Sequence, residues 1–319
     1  MASTASGRPS YLLEKDVWVV WALNVLFASQ FGSDLVFKGG TSLSKAHKAI
    51  RRFSEDIDIT YDIRKLIPDL IGSEGPVPST RSKGQKWTKA VRERLPAWVA
   101  GMVLPIIEER LRAIGVSAKV WTDGEKILIS YERLFDGPPY VSPRVEIEFG
   151  ARSTGEPCAE HSIVCDAAEY VPALTFPTAT PKVMVVGRTF WEKATAAHVF
   201  CHQGKLPAGR FARHWHDLAQ LDASGHAAPA LADRKLAKEV AKHKGIFFIE
   251  NDHLGQRIDY TAAVSGSLKL IPADAAYTAL NADYDIMVKA GLLVTEDAYP
   301  FDDLMERCRA LERRANEHV

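Results

Sequence analysis

The chain has 319 residues, 46% of them hydrophobic and 25% charged, the make-up of a folded globular protein long enough for two lobes. Forty basic side chains balance forty acidic ones, so overall charge gives no support for a nucleic-acid partner, which would need a local basic patch. Four cysteines without a Cys-x-x-Cys pair exclude a zinc finger or disulfide framework, no run reaches the ~18 apolar residues of a membrane span, and the N-terminus lacks a signal-peptide layout; a cytoplasmic protein with no membrane partner is expected.

In chain order, residues 1–10 are expected to be disordered. Residues 11–31 read as a strongly apolar helix in which Glu14-Lys15-Asp16 precede Val17, Trp18, Val20, Trp21, Leu23, Val25, Leu26 and Phe27. Trp18, Trp21 and Val25 fall at helical spacing and are assigned to the core. Leu35, Val36 and Phe37 form an apolar strand that runs into Gly39-Gly40-Thr41-Ser42 and then into an Ala/Lys-rich helix. Glycines let the backbone approach an anion, and the N–H groups at a helix start favour negative charge, so this is the layout of a phosphate cradle. Asp56 and Asp58 alternate with Ile57, Ile59 and Tyr61, which puts both carboxylates on one side of a strand. Paired carboxylates beside a phosphate loop call for Mg²⁺, which takes oxygen ligands from one or two carboxylates and from substrate phosphates. Taken singly, the first motif is a turn with a helix cap and the second an edge-strand pair; their order and closeness favour the joint reading.

After a loop at residues 72–78, Arg81, Lys83, Lys86, Lys89, Arg92 and Arg94 are interleaved with Trp87. This is either a footing for a phosphate backbone with a stacking ring, or a solvated helix face over a buried tryptophan. Residues 94–114 are expected to be helical despite Pro96 and Pro105, burying Leu95, Trp98, Val99, Met102, Ile106 and Ile107. Residues 116–121 and 126–131 alternate as a hairpin around Thr122-Asp123-Gly124-Glu125. Residues 144–149 give a further strand with Glu146 and Glu148 on one face, which a half-wet sheet would also show. Residues 172–181, rich in Pro and Thr, read as the crossing between lobes, followed by helices over 188–202, 211–221 and on to the C-terminus with one break at 266–272. His198 and His202 share a helix face near His214 and His216, but spacing fixes no further ligand, so packed or surface histidines are expected rather than a zinc site. The expected fold is α/β (α+β): a mixed-sheet lobe over 1–171 with a helical insertion near 64–114, and a mainly helical lobe over 172–319.

The strings Phe37-Lys38-Gly39-Gly40-Thr41-Ser42-Leu43 and Arg52-Phe53-Ser54-Glu55-Asp56-Ile57-Asp58 resemble the AbiEii/AbiGii-type toxins, a branch of the polymerase-beta-like nucleotidyltransferases. Glu14-Lys15-Asp16, Thr189-Phe190-Trp191-Glu192-Lys193-Ala194, the run from Arg210 and Arg213 to Asp217, and tail segments around Lys244, Gly266 and Asp283 extend the resemblance over nearly the whole chain. It implies a polymerase-beta-like nucleotidyltransferase lobe in which Gly39, Gly40, Thr41 and Ser42, with Lys193, Arg210 and Arg213, hold a nucleoside triphosphate. Asp56, Asp58 and a third carboxylate, Glu148 before Glu146, would bind Mg²⁺, and Asp217 would orient Lys193 or an arginine. An acceptor hydroxyl, deprotonated with help from Glu148, would attack the α-phosphate in line and expel pyrophosphate. The resemblance further implies an RNA acceptor, the 3′ end of tRNA, with arrested translation, a cognate antitoxin and a role in phage defence. Residues 81–94, with Lys45, Lys48, Arg51 and Arg52, would supply the electrostatic footing for that RNA. Two other readings use the same residues: nucleotide transfer to a protein side chain or small molecule, and a catalytically silent nucleotide- or antitoxin-binding protein.

Overall fold

A computed structural model describes residues 2–73, 75–138, 141–204, 206, 209–293 and 297–317. The chain falls into two units, Met1–Ala46 with Phe53–Met184, and His47–Arg52 with Val185–Val319. The division comes after Met184 rather than at residue 171, because residues 172–184 supply two strands to the first unit, and residues 47–52 leave that unit altogether.

In the first unit, α1 (Ala2–Ser6) forms where disorder was expected, and α2 (Ser10–Phe27) ends at Phe27. Leu12, Leu13, Val19, Val20, Ala22, Leu23, Val25 and Leu26 are its buried apolar residues. Trp18 and Trp21, assigned to the core, are half-buried, with Trp18 stacked on Tyr131 at 4.8 Å, whereas Lys15 and Asp16 are buried. A helix apolar nearly all round does not announce which face turns inward, and the buried charges settle it here through their partners.

The strands that follow are β1 (Leu35–Lys38), β2 (Asp56–Tyr61), β3 (Ala118–Asp123), β4 (Lys126–Tyr131), β5 (Arg144–Gly150), β6 (Cys158–Glu160), β7 (Ile163–Val164), β8 (Thr178–Ala179) and β9 (Lys182–Met184). Seven form one mixed sheet in the order β3-β4-β5-β2-β1-β9-β6, and β7 pairs with β8. At its centre β2 runs antiparallel to β1 and parallel to β5. One face carries Ile57, Ile59, Val145, Ile147 and Phe149, all buried, and packs against α2. The helix α3 (Gly39–Lys45) joins β1 to the segment that leaves the unit. After β2 come α4 (Ile63–Leu66), α5 (Pro68–Ile71), α6 (Arg81–Trp98) and α7 (Leu104–Ile114). A wider π-helical turn, Val99–Val103, links the last two. Pro105 has no N–H to continue an α-helical ladder there, and the wider turn buries Val99, Val103, Ile107 and Leu111 while exposing Met102, which the even spacing had placed inside.

The second unit consists of α8 (Val186–Gln203), α9 (Ala212–Ala223), α10 (Ala227–Ala232), α11 (Arg234–Phe247), α12 (Tyr260–Ala263), α13 (Asp274–Lys289) and α14 (Phe301–Glu317). Helix α9 lies at its centre, against α8, α10, α13 and α14, and buries every residue from Trp215 to Leu221. Residues 248–259 are non-helical in addition to the break expected at 266–272. Tyr284 and Met287 are core. His198 is buried and accepts the Lys269 N–H at 3.1 Å, burial lowering its pKa to about 3, so it serves as a neutral packed acceptor. Among the described residues no helix is long and apolar enough to cross a membrane.

Candidate active site

Register on the sheet brings the first constellation together. Lys38 on β1 lies opposite Asp58 on β2, Asp58 pairs with Glu148 on β5, and Glu148 pairs with Lys126 on β4. Asp56 pairs with Glu146 one step along. The four carboxylates therefore share the face opposite Ile57, Ile59 and Ile147, because strand side chains alternate. Lys38 and Lys126 had no role in the sequence reading; alternation alone places each on the polar face of its own strand, but only the strand order sets them in one row with Asp58.

Helix α3 starts at Gly39, whose φ of +78° lies in the left-handed region. A β-carbon built there would come within 1.9 Å of Asp58 Oδ2, so the glycine is what allows the Asp58 carboxylate to rest on the turn. Thr41 Oγ1 donates to the Asp56 carbonyl at 2.5 Å and lies 2.9 Å from Ser54 Oγ, and Ser42 Oγ donates to the Gly39 carbonyl at 2.9 Å. Both side chains are fully buried. The hydroxyls expected to cradle phosphate are engaged in the turn itself, Thr41 tying it to β2 and Ser42 to the Gly39 carbonyl.

Both candidates for the third carboxylate are in contact with one lysine. Lys126 Nζ lies 2.6 Å from Glu146 and 3.2 Å from Glu148, and its hydrogen bond to Glu146 raises its pKa above the usual lysine range. Glu148 is half-exposed, and among the described residues no three His, Cys, Asp or Glu side chains form a group that could hold a metal ion. Asp56 and Asp58 are the direct register neighbours of the Lys126-bound glutamates. Two aspartates offering hard oxygen donors from one strand suit Mg²⁺, which commonly takes two protein carboxylates and completes its shell from water and phosphate.

The second constellation lies within the helical unit. Lys193 Nζ on α8 is 2.9 Å from Asp217 Oδ2 on α9, and Arg52 grips the same carboxylate with two hydrogen bonds, at 2.6 and 2.9 Å. Asp217, Arg52 and Lys193 are all buried. Burial by itself would raise the Asp217 pKa, but Arg52 and Lys193 carry it well below the usual carboxylate range. His216, also buried, has Nδ1 3.7 Å from the same carboxylate. Arg210 sits in the turn before α9 at φ +69°, its N–H donating to Asp283 at 2.6 Å, and Arg213 is half-buried on α9.

The structure reassigns several cations of the expected RNA footing. Arg52 is buried on Asp217, Arg51 is bidentate with Asp297, Lys45 is held by Asp16 and Asp166, and Arg94 is bidentate with Asp69. Trp87 is buried and supplies no stacking ring, while Arg81, Lys83, Lys86, Lys89 and Arg92 line the exposed side of α6.

The profile of the nucleotidyl transferase AbiEii toxin, of type IV toxin–antitoxin systems, matches residues 21–307. The chain belongs to the AbiEii nucleotidyltransferase toxin family. As an AbiEii protein it is a nucleotidyltransferase and the toxin of a type IV toxin–antitoxin system, with a nucleotide substrate and an antitoxin partner. No curated protein matches the chain. Among solved structures it is similar to MenT4, the nucleotidyltransferase toxin Rv2826c from Mycobacterium tuberculosis H37Rv, at 18% identity over 97% of each chain with a TM-score of 0.44, too distant for any detail of the site to be carried across.

Two outcomes follow for this AbiEii chain. Gly39→Ala should cost about 1 to 2 kcal/mol in thermal unfolding from its left-handed φ, and should impair nucleotide transfer far more than stability, because the methyl displaces the Asp58 carboxylate. Asp217→Asn leaves Arg52 and Lys193 with no buried countercharge, and urea titration should register a loss of about 3 to 5 kcal/mol.

Proposed function

We propose that this AbiEii toxin transfers a nucleotide from a nucleoside triphosphate to RNA, at the 3′ end of tRNA, and thereby blocks translation in the cytoplasm, with its antitoxin holding it in check and phage defence as the setting. The observation that supports the site most directly is the close approach of Asp58 to the Gly39 turn: a strand-borne carboxylate rests where the glycine has no side chain.

Asp56 and Asp58 would hold Mg²⁺, whose chemistry when bound is to offset charge on the triphosphate and to favour an attacking oxygen. Gly39 and Gly40 keep side chains away from the triphosphate and offer backbone N–H groups to it. Lys193 is assigned the role of offsetting charge on the triphosphate or the leaving pyrophosphate, an ammonium being a compact point charge suited to that task. Asp217 orients that ammonium at 2.9 Å. Arg210 and Arg213 remain candidates for gripping phosphate oxygens. The exposed cations of α6 would meet the RNA backbone by charge alone, since its tryptophan is inside.

The test is to incubate the purified chain with each labelled nucleoside triphosphate and total tRNA. Label should enter tRNA in the presence of Mg²⁺, be lost with a chelator, and be lost in Asp56→Asn and Asp58→Asn; label in either variant at wild-type level would defeat the assignment. Replacing Lys83, Lys86 and Lys89 with Ser should lower the salt dependence of tRNA binding by about 0.7 to 0.9 in log–log slope per lost phosphate contact. An unchanged slope, with label going to protein or a small molecule, would favour a different acceptor.

A further inference from the structure

The chain leaves the first unit after Ala46 and returns to it at Phe53. That excursion separates the two halves of the candidate site in sequence: the Gly39 turn and α3 come before it, β2 with Asp56 and Asp58 after it. Close to the two ends of the excursion stand Lys45, the last residue of α3, and Glu55, which directly precedes Asp56.

Both are tied to the same turn of α2, by consecutive residues. Lys15 Nζ donates to Glu55 Oε2 at 2.7 Å and to the Ser142 carbonyl at 2.9 Å. Asp16 Oδ1 lies 2.5 Å from Lys45 Nζ, while Asp16 Oδ2 accepts the Asp166 N–H at 2.6 Å; Asp166 Oδ1 meets the same ammonium at 2.6 Å and Arg8 closes the set at 3.0 Å. Lys15 and Asp16 are 2% exposed and Glu55 4%. Neighbouring residues on a helix point about 100° apart, so two adjacent side chains can reach two separate segments. Buried charges are kept where partners and geometry fix them, and these pairs fix the two ends of an interrupted site.

We propose that Lys15 and Asp16 are positioning residues for nucleotidyl transfer. They brace from α2 the end of α3 and the start of the Asp56–Asp58 strand, whose direct join is the β1–β2 pairing and the Thr41 bond to the Asp56 carbonyl, so that the aspartates and the glycine backbone meet one metal-bound triphosphate. This rests on the reading of Asp56 and Asp58 as the metal-holding pair. Glu14, the third member of the run, accepts the N–H groups of Leu134 and Phe135 at 2.9 and 3.3 Å and ties down neither half of the site.

The experiment measures Mn²⁺ affinity by electron paramagnetic resonance, with a non-hydrolysable nucleoside triphosphate present, on the full chain and four variants whose melting temperatures are recorded. Asp58→Asn is the arm for the underlying reading: wild-type affinity there defeats the metal assignment itself. With that affinity lost, Asp16→Asn, which keeps the oxygen that accepts the Asp166 N–H but removes the charge facing Lys45, should weaken Mn²⁺ binding roughly 10- to 100-fold in protein that is still folded. Lys15→Met/Glu55→Leu replaces the other buried pair with apolar side chains, a change that such sites often tolerate in stability, and it should show a similar loss; it decides the matter if Asp16→Asn does not fold. Glu14→Gln should keep wild-type affinity. Wild-type Mn²⁺ affinity in folded Asp16→Asn or in the double variant overturns the positioning role, and so does a loss in Glu14→Gln equal to that in the others.

Discussion

The carboxylate of Asp58 occupies the space that a β-carbon on Gly39 would need. A strand cannot turn into a helix within one residue beside a neighbouring strand's side chain unless the turning residue has no side chain and a left-handed φ, which Gly39 supplies at +78°. Antiparallel pairing of β1 and β2 sets Lys38 opposite Asp58, and the Thr41 hydroxyl holds the start of α3 to the Asp56 carbonyl. The apolar face of the same strands, Ile57 and Ile59, is anchored in the core, so the aspartates inherit their position from the hydrophobic packing behind them.

Buried ion pairs do comparable work in both units. Burying a charge costs several kcal/mol unless partners compensate it, which makes each such pair specific in geometry rather than merely stabilising. In the helical unit Asp217 receives both Arg52 and Lys193, fixing an ammonium at the end of a flexible stem. In the sheet unit Asp16 and Lys15 do this for segments that are close in space but separated by an excursion of the chain.

Strands with clean alternation were legible from the sequence. Phe37 inside, and Asp56 and Asp58 outside between buried isoleucines, follow from period two, as does the pairing of Glu146 with Glu148 on one face. The partners of those residues were not legible, because cross-strand neighbours depend on strand order. Nothing local says that β5 lies beside β2, or that Lys126 reaches the glutamates expected to serve the metal. Basic residues misled for a related reason: Lys45, Arg51 and Arg52 read as a solvent-facing cluster, yet each has a carboxylate partner more than a hundred residues away or on another helix. The hydroxyls of Thr41 and Ser42 matched a ligand-binding pattern but are consumed by the turn they build. The division between units was displaced because a Pro- and Thr-rich stretch that looks like a linker contributes strand β8 and runs directly into β9 of the main sheet.

The proposed nucleotide transfer depends on Asp56 and Asp58 sharing one cation with a triphosphate seated on the Gly39 turn. Anomalous diffraction from a crystal grown with Mn²⁺ and a non-hydrolysable nucleoside triphosphate locates that cation directly. A manganese peak bound by Asp56 and Asp58 with the triphosphate against Gly39 and Gly40 is the predicted result; a peak held by Glu146 and Glu148, or a triphosphate away from the glycine turn, would contradict it.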